Sequence, residues 1–225
     1  MSPVWSRALQ LFELAVIQAV ILFVSAGTLC WAAGWWYIGL YVFLLVIGAG
    51  VLIRDRTDVI AERSKGAAGS KGWDRWVTSL MIMPTVGILA LAGLDARWDW
   101  TPSLPLWLRL VGGLAFAAGY AVVLWAMYAN PYFAQVVRIQ TERGHVAVSG
   151  GPYRIVRHPG YFGMTLSMLG AVFLLDSLWG LTAFALYAAL IAVRTALEDK
   201  TLRAELPGYV EFSAHTKYRL IPGVW

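Results

Sequence analysis

The segment 144–163 reads GHVAVSGGPYRIVRHPGYFG and runs straight into an apolar stretch. Its glycines and prolines resist a regular helix. Irregular backbone at membrane depth is tolerated only against protein or a polar cavity. Such a loop at the mouth of a helix pair could wall a pocket open to a soluble cofactor. The same composition also suits an ordinary juxtamembrane loop with basic anchors. A second group is Arg194, Glu198 and Asp199, in the run RTALED. Arg194 and Glu198 are four apart and share one helical face. Ionisable residues in or near a membrane are candidates for function by default. The structural alternative is an Arg–Glu pair that snorkels at the end of a span. In the tail, Glu198, Leu202, Glu205 and Tyr209 could line one stripe, which Pro207-Gly208 should end or bend. The remainder is either an amphipathic segment lying on the bilayer or a lid over a pocket.

These residues must be held by apolar elements. The chain has 225 residues, 59% hydrophobic and only 14% charged, against about a quarter charged in soluble domains. The run 14–53 contains no Asp, Glu, Lys or Arg in 40 residues. As helix it would reach ~60 Å, about twice the hydrocarbon core, so it must fold back. The turn is expected near 32–34, with Trp31, Trp35 and Trp36 at the interface. The run 76–94 lies between Arg75 and Asp95. The run 110–137 is interrupted by Asn130-Pro131, where a proline should end the helix. The stretch 161–193 is broken only by Asp176 and reads as two short spans of 15 and 17 residues joined at Asp176-Ser177. The expected fold is an all-α, polytopic helical membrane bundle of about five to six spans. Residues 1–130 form a transmembrane scaffold, with spans at about 10–31, 34–53, 76–94 and 107–129. Residues 131–225 form a C-terminal cofactor-binding half, with a helical hairpin at 160–198 and an amphipathic tail.

Charge sets the orientation. Arg54, Arg56, Arg63, Lys65, Lys71 and Arg75 fall in one loop. Arg138, Arg143, Arg154 and Arg157 fall in another, and Lys200, Arg203, Lys217 and Arg219 in the tail. A six-span path puts all three on one side, with Arg7. The other side keeps Arg97 and Arg109, offset by Asp95 and Asp99. By the positive-inside rule both termini are cytoplasmic, as in a multi-pass bacterial inner-membrane protein. The net charge of +5 then suits anionic membrane lipids and needs no nucleic acid. The run after Arg7 is too long for a signal-peptide core and reads as a retained span. Cys30 is the only cysteine, so no intramolecular disulfide can form. The three histidines, His145, His158 and His215, are too scattered for a zinc site, and no metal is expected. The stretch 64–71 reads as a mobile loop.

The ordered set of GPYRIVRHPGYFG at 151–163, an apolar hairpin, RTALED at 194–199 and then Leu206-Pro-Gly-Tyr209 resembles the isoprenylcysteine carboxyl methyltransferase and phospholipid methyltransferase superfamily. The resemblance covers residues 138–225. Ala61-Glu62-Arg63 and Lys71-Gly-Trp-Asp74 also look like its bacterial isoprenylcysteine methyltransferase-like members. The resemblance implies S-adenosylmethionine as cofactor. It implies a cofactor pocket built by His145, Val146, Ala147, Val148, Tyr153, His158, Pro159 and Tyr161, closed by Glu198 and Asp199 from the last helix. It casts Arg194 and Glu198 as catalytic, with Arg194 facing the methyl acceptor. Two departures are Glu198-Asp199, where the family often has paired glutamates, and Phe212, where it often has a second tyrosine.

A sulfonium donor is already activated, so the transfer needs no metal. The protein must align the nucleophile and exclude water. The reading is therefore a membrane methyltransferase acting on a lipophilic acceptor drawn from the bilayer: an isoprenylcysteine-like carboxylate, a phospholipid amine or a small thiol. Its rivals are a membrane reductase of the sterol-reductase type using NADPH, and a non-catalytic scaffold or transporter. Against transport, the spans carry no ionisable residue near their centres. The topology has a direct test. Cysteines placed in the loops of Arg63, Arg143 and Arg203 should resist an impermeant reagent added from outside, and strong labelling at any of them would rule out the six-span path.

Overall fold

The computed structural model describes residues 3–67 and 69–225. Among these the chain forms eight α-helices. They are α1 (Pro3–Ala26), α2 (Ala32–Asp55), α3 (Thr57–Ser64), α4 (Gly72–Trp98), α5 (Leu106–Ala129), α6 (Pro159–Leu174), α7 (Gly180–Glu205) and α8 (Tyr209–His215). Helices α1, α2, α4, α5 and α7 are long and apolar enough to cross a membrane. Helix α6 has 16 residues, or about 24 Å, short of the ~30 Å hydrocarbon core.

The outer faces are apolar because their solvent is lipid. Phe12, Val20, Val24, Phe43, Val46, Ile82, Met83 and Leu114 all point outward. Inside, Leu22 and Phe23 of α1, Tyr37 of α2, Leu89 and Ala92 of α4, Phe116 of α5 and Ala171 of α6 form one cluster. A second joins α4 to α7 through Val77, Met81, Tyr187 and Ile191, with Leu220 of the tail packed in.

Several boundaries differ from the expectation. The first turn falls earlier than 32–34. Gly27 takes a left-handed φ of 67°, and α2 already begins at Ala32. The segment after Arg54 is not a plain loop, since α3 is inserted there. It is held by Val59 and Ile60 packing on Leu52 and Met127, a tertiary contact with no strong local signal. Within the stretch 64–71, residue 68 lies outside the described residues. Helix α7 runs on past the apolar stretch to Glu205, in keeping with the stripe of Glu198, Leu202 and Glu205, and there Arg194 and Asp199 both find buried partners within the protein. Asn130 does end α5, and Gly208, at φ 75°, does separate α7 from α8.

Helix α6 is tied to α5 backbone to backbone. A Cβ on Gly119 would lie 2.4 Å from the Gly163 carbonyl oxygen, and one on Gly170 would lie 2.4 Å from the Phe116 amide nitrogen. Small residues allow such approach where no hydrophobic drive separates helix from lipid. Ser167 Oγ adds a hydrogen bond to the Phe116 carbonyl at 3.0 Å. At the far end of the bundle, buried Asp95 accepts from the Thr101 amide and hydroxyl and from Ser177 Oγ. Asp176 accepts from the Leu104 amide and Ser103 Oγ. These bonds join the α4–α5 and α6–α7 turns. The packing gives a contrast in substitutions. Gly119→Val should destabilise by about 1–3 kcal/mol or more through overpacking, whereas Gly39→Ala, where a Cβ meets nothing within 4 Å, should be neutral or slightly stabilising. Melting temperatures in one detergent decide, and an unchanged Gly119→Val would remove the close α5–α6 contact from the account.

Candidate functional site

The loop 130–158 is irregular but fully tied. Asn130 caps its start by accepting the Tyr132 amide at 2.8 Å while its Nδ2 donates to Tyr153 Oη at 3.2 Å. Gln140, wholly buried, donates from Nε2 to the Tyr132 carbonyl at 2.7 Å and accepts from Arg143. Its amide donates to His145 Nδ1. The His145 ring stacks on Tyr132 with centroids 4.3 Å apart. Burial, then the charges of Arg143 and Arg138, push the His145 imidazole down to about 4, so the ring is neutral at pH 7. Burial raises the Tyr153 hydroxyl, and it stays protonated. From the side of α3, Glu62 holds the loop by accepting Arg138 Nε at 2.9 Å and Lys65 Nζ at 2.8 Å. Burial opposes its charge, but these two cations hold the Glu62 carboxyl below the usual range.

Two buried carboxylates organise the rest. Asp74, in the first turn of α4 and wholly buried, accepts Arg194 Nε at 2.9 Å, a second guanidinium nitrogen at 3.3 Å and the Val137 amide at 2.7 Å. Arg194 also donates to the Gln135 carbonyl at 3.0 Å and lies over the Tyr161 ring at 5.1 Å. Asp199 accepts one edge of Arg157, Nε at 2.7 Å and Nη2 at 3.2 Å, with Tyr209 Oη at 2.8 Å, Arg203 Nε and Arg219 Nε, each at 3.1 Å. The remaining Arg157 nitrogen donates to the Thr216 and Lys217 carbonyls. The tail completes this joint through the Arg157 and His158 amides, which donate to the Tyr218 and Arg219 carbonyls. The tail is therefore packed onto the loop and α7, and its residues Tyr209 and Phe212 wall the cavity described next.

A cavity of about 440 Å³ lies between these groups, within the usual ~300–1,000 Å³ of small-molecule pockets. It is lined by His145, Val146, Ala147, Val148, Tyr153, His158, Pro159, Tyr161, Arg194 and Glu198. Of the cofactor-pocket and catalytic residues that the family resemblance implies, all are brought together there except Asp199, which sits beside the cavity as an anchor. The Arg194–Glu198 pair of the structural alternative does not form. Arg194 turns to Asp74, and Glu198 instead accepts the Tyr161 hydroxyl. His158 stacks on Tyr161 and places Nε2 3.4 Å from Tyr209 Oη and 3.5 Å from Asp199. In the stripe expected from the tail, Leu202 and Tyr209 do face the cavity, whereas Glu205 pairs with Lys71 at 2.6 Å. The N-terminal part contributes Arg7, Leu14, Arg63 and Val123 to the same wall. None of these four was singled out as a site residue. Asp74 was missed too, and its only signal was its place in the Lys71-Gly-Trp-Asp74 run. Among the described residues no group of three or more His, Cys, Asp or Glu lies close enough to hold a metal ion.

The fold and cavity define an integral membrane helical bundle with a mixed polar and apolar pocket at one end. The family model described as phospholipid methyltransferase matches residues 107–205. Cobalt-zinc-cadmium resistance protein CzcN of Cupriavidus metallidurans is 30% identical over 169 residues, which cover 71% of this chain and 72% of that protein. The chain belongs to the phospholipid methyltransferase family, which makes it, in general class, a membrane methyltransferase. The name of the relative states a resistance phenotype and no reaction.

The two carboxylates predict opposite behaviour on substitution. Asp74→Ala strands a buried guanidinium and should cost about 3–5 kcal/mol. Glu198→Gln keeps an acceptor for Tyr161 and should cost under about 1.5 kcal/mol. Thermal unfolding of both in the same detergent tests this, and equal losses would contradict the separate partners.

Proposed function

We propose that this protein is an S-adenosylmethionine-dependent methyltransferase of the bacterial inner membrane, acting on a lipophilic acceptor. The observation that carries the reading is the shared cavity. One wall is polar loop and the other is apolar helix, including Leu14, Val123 and Met164. A soluble donor and a lipid-borne acceptor need such a two-sided space. Several features fit the donor. The amides of Val146 and Val148 bond to no described residue, so they are free to meet a heterocycle edge. The Glu198 carboxylate faces the same space and suits an ammonium group. When bound, the donor supplies a methyl group already activated on a sulfonium.

The chain's own residues then have to orient and to exclude water. His158 is held against Tyr209 and Asp199, and Tyr161 holds Glu198. Each side chain is fixed before the acceptor arrives, which lowers the cost of alignment. Arg157 and the tail close the cavity through the Asp199 joint and keep water from the reacting centre. A carboxylate or thiolate acceptor requires little proton transfer. For an amine acceptor, Glu198 and His158 are the groups in the cavity able to take a proton. The basic segments gather at the cavity end, so the mouth faces the cytosol, both termini with it.

Purified protein incubated with labelled S-adenosylmethionine should bind it saturably, and with NADPH it should not. Glu198→Gln should weaken donor binding by about tenfold, or ~1.4 kcal/mol, with little change in melting temperature. In cells, lipid mass spectrometry should show a species gained by one methylene when the protein is present. Saturable NADPH binding without donor binding would return the chain to the reductase reading.

A further inference from the structure

Charge matching around the cavity leaves two cations over. Arg194 is neutralised by Asp74, Arg157 by Asp199, and Arg138 by Glu62 and Glu142. Arg7 and Arg63 line the same cavity. Among the described residues neither has a carboxylate within 4.0 Å. Arg7 donates to Gln10 Oε1 at 3.0 Å, and Arg63 lies over the Phe133 ring at 5.4 Å. The two also feel each other. Burial, and then the Arg7 charge, pull the Arg63 guanidinium down to about 9.

Both arginines are half-buried, and like charges brought together with reduced access to water are costly unless a ligand completes them. Guanidinium groups match the oxygens of phosphates and carboxylates, and two of them from different helices suit a group with several oxygens. The pair is also next to the proposed reaction centre. The Arg63 carbonyl accepts Gln135 Nε2 at 3.1 Å, and the Gln135 carbonyl accepts Arg194 at 3.0 Å. One residue therefore links Arg63 to the Arg194 and Glu198 face. Leu14 and Val123 share this cavity and offer an apolar surface to a hydrocarbon chain.

We propose that Arg7 and Arg63 form an anion subsite that holds the phosphate-type group of an amphiphilic acceptor, apart from the atom that receives the methyl. The assignment rests on the methyltransferase reading. It moves acceptor recognition from Arg194, whose charge Asp74 already consumes, to two arginines of the N-terminal half. It also makes Arg7 and Arg63 determinants of specificity, favouring acceptors whose anionic group is separate from the methylated atom.

The test uses the full chain in a neutral maltoside detergent, with dodecyl phosphate as the probe and inorganic phosphate as a second arm. Dodecyl phosphate should raise the melting temperature of the wild type saturably. Arg63→Gln and Arg7→Gln should each weaken its apparent affinity by about tenfold, while Arg63→Lys, which keeps the charge but loses the planar fork, should weaken it less than Arg63→Gln does. Inorganic phosphate should be far weaker, since it lacks the chain that Leu14 and Val123 would meet. Equal potency of the two probes would assign the pair to free phosphate and overturn the acceptor assignment. Unchanged dodecyl phosphate affinity in the glutamine variants would overturn the subsite itself. S-adenosylmethionine affinity, measured on the same samples, should stay within about threefold of wild type. A tenfold loss there would give the arginines to the donor's carboxylate instead and overturn the proposal. If the wild type binds dodecyl phosphate through these arginines but no S-adenosylmethionine, the methyltransferase reading fails while the anion subsite stands. If Arg63→Gln does not fold, Arg7→Gln carries the same comparison.

Discussion

The buried carboxylate of Asp199 is the joint on which the C-terminal half depends. A charge removed from water must be met by other charges or by hydrogen bonds. Asp199 is met by donors from three different segments: Arg157 of the loop, Tyr209 of α8 and Arg219 of the tail, with Arg203 from its own helix. Arg157 in turn spends its last nitrogen on the Thr216 and Lys217 carbonyls. The consequence is geometric. Loop, last helix and tail cannot move independently, so His158, Tyr161 and Glu198 face one space in fixed orientations.

A second carboxylate does the same for the other half. Asp74 lies at the start of α4, 120 residues from Arg194. Their pairing fastens the N-terminal helices to α7 beside the Tyr161 ring. It also orders the chain at Val137 through an amide hydrogen bond. With Arg194 and Arg157 both neutralised, the balance of charge in the cavity falls to Glu198, Arg7 and Arg63. The cavity then has one acidic and one basic region, joined through Gln135, between a polar loop and apolar helices. That arrangement supports a donor and an acceptor of different polarity meeting in one place.

Much of this was legible in the sequence because the bilayer is a demanding solvent. Long uncharged runs have few alternatives to spanning helices, and Asn130-Pro131 ends α5 where a proline must. Short helix α6 was expected to be short, since Asp176 and Ser177 interrupt the apolar stretch. The clustering of His145–Val148 with Tyr153, His158 and Tyr161 around one cavity was what the family resemblance implied. Helix α3 was not legible. Its eight residues carry weak helical periodicity, and it is stabilised by Leu52 and Met127 from other helices.

The partners of the charged residues divide along the same line. Spacing places Arg194 and Glu198 on one helical face, and they do share a cavity wall. Spacing could not tell that each would turn to a residue of another helix, Asp74 or Tyr161. A partner four residues away is available to any exposed helix, but in a dry interior the best-desolvated partner with the best geometry wins, and that partner can come from anywhere in the chain. So the sequence by itself determined which segments are apolar enough to enter the membrane, on which side the cations gather and which motifs come together at the cavity. Only the tertiary structure decided which charges cancel and which remain. Cancellation depends on close approach between groups far apart in the chain, as the 2.9 Å between Asp74 and Arg194 across 120 residues.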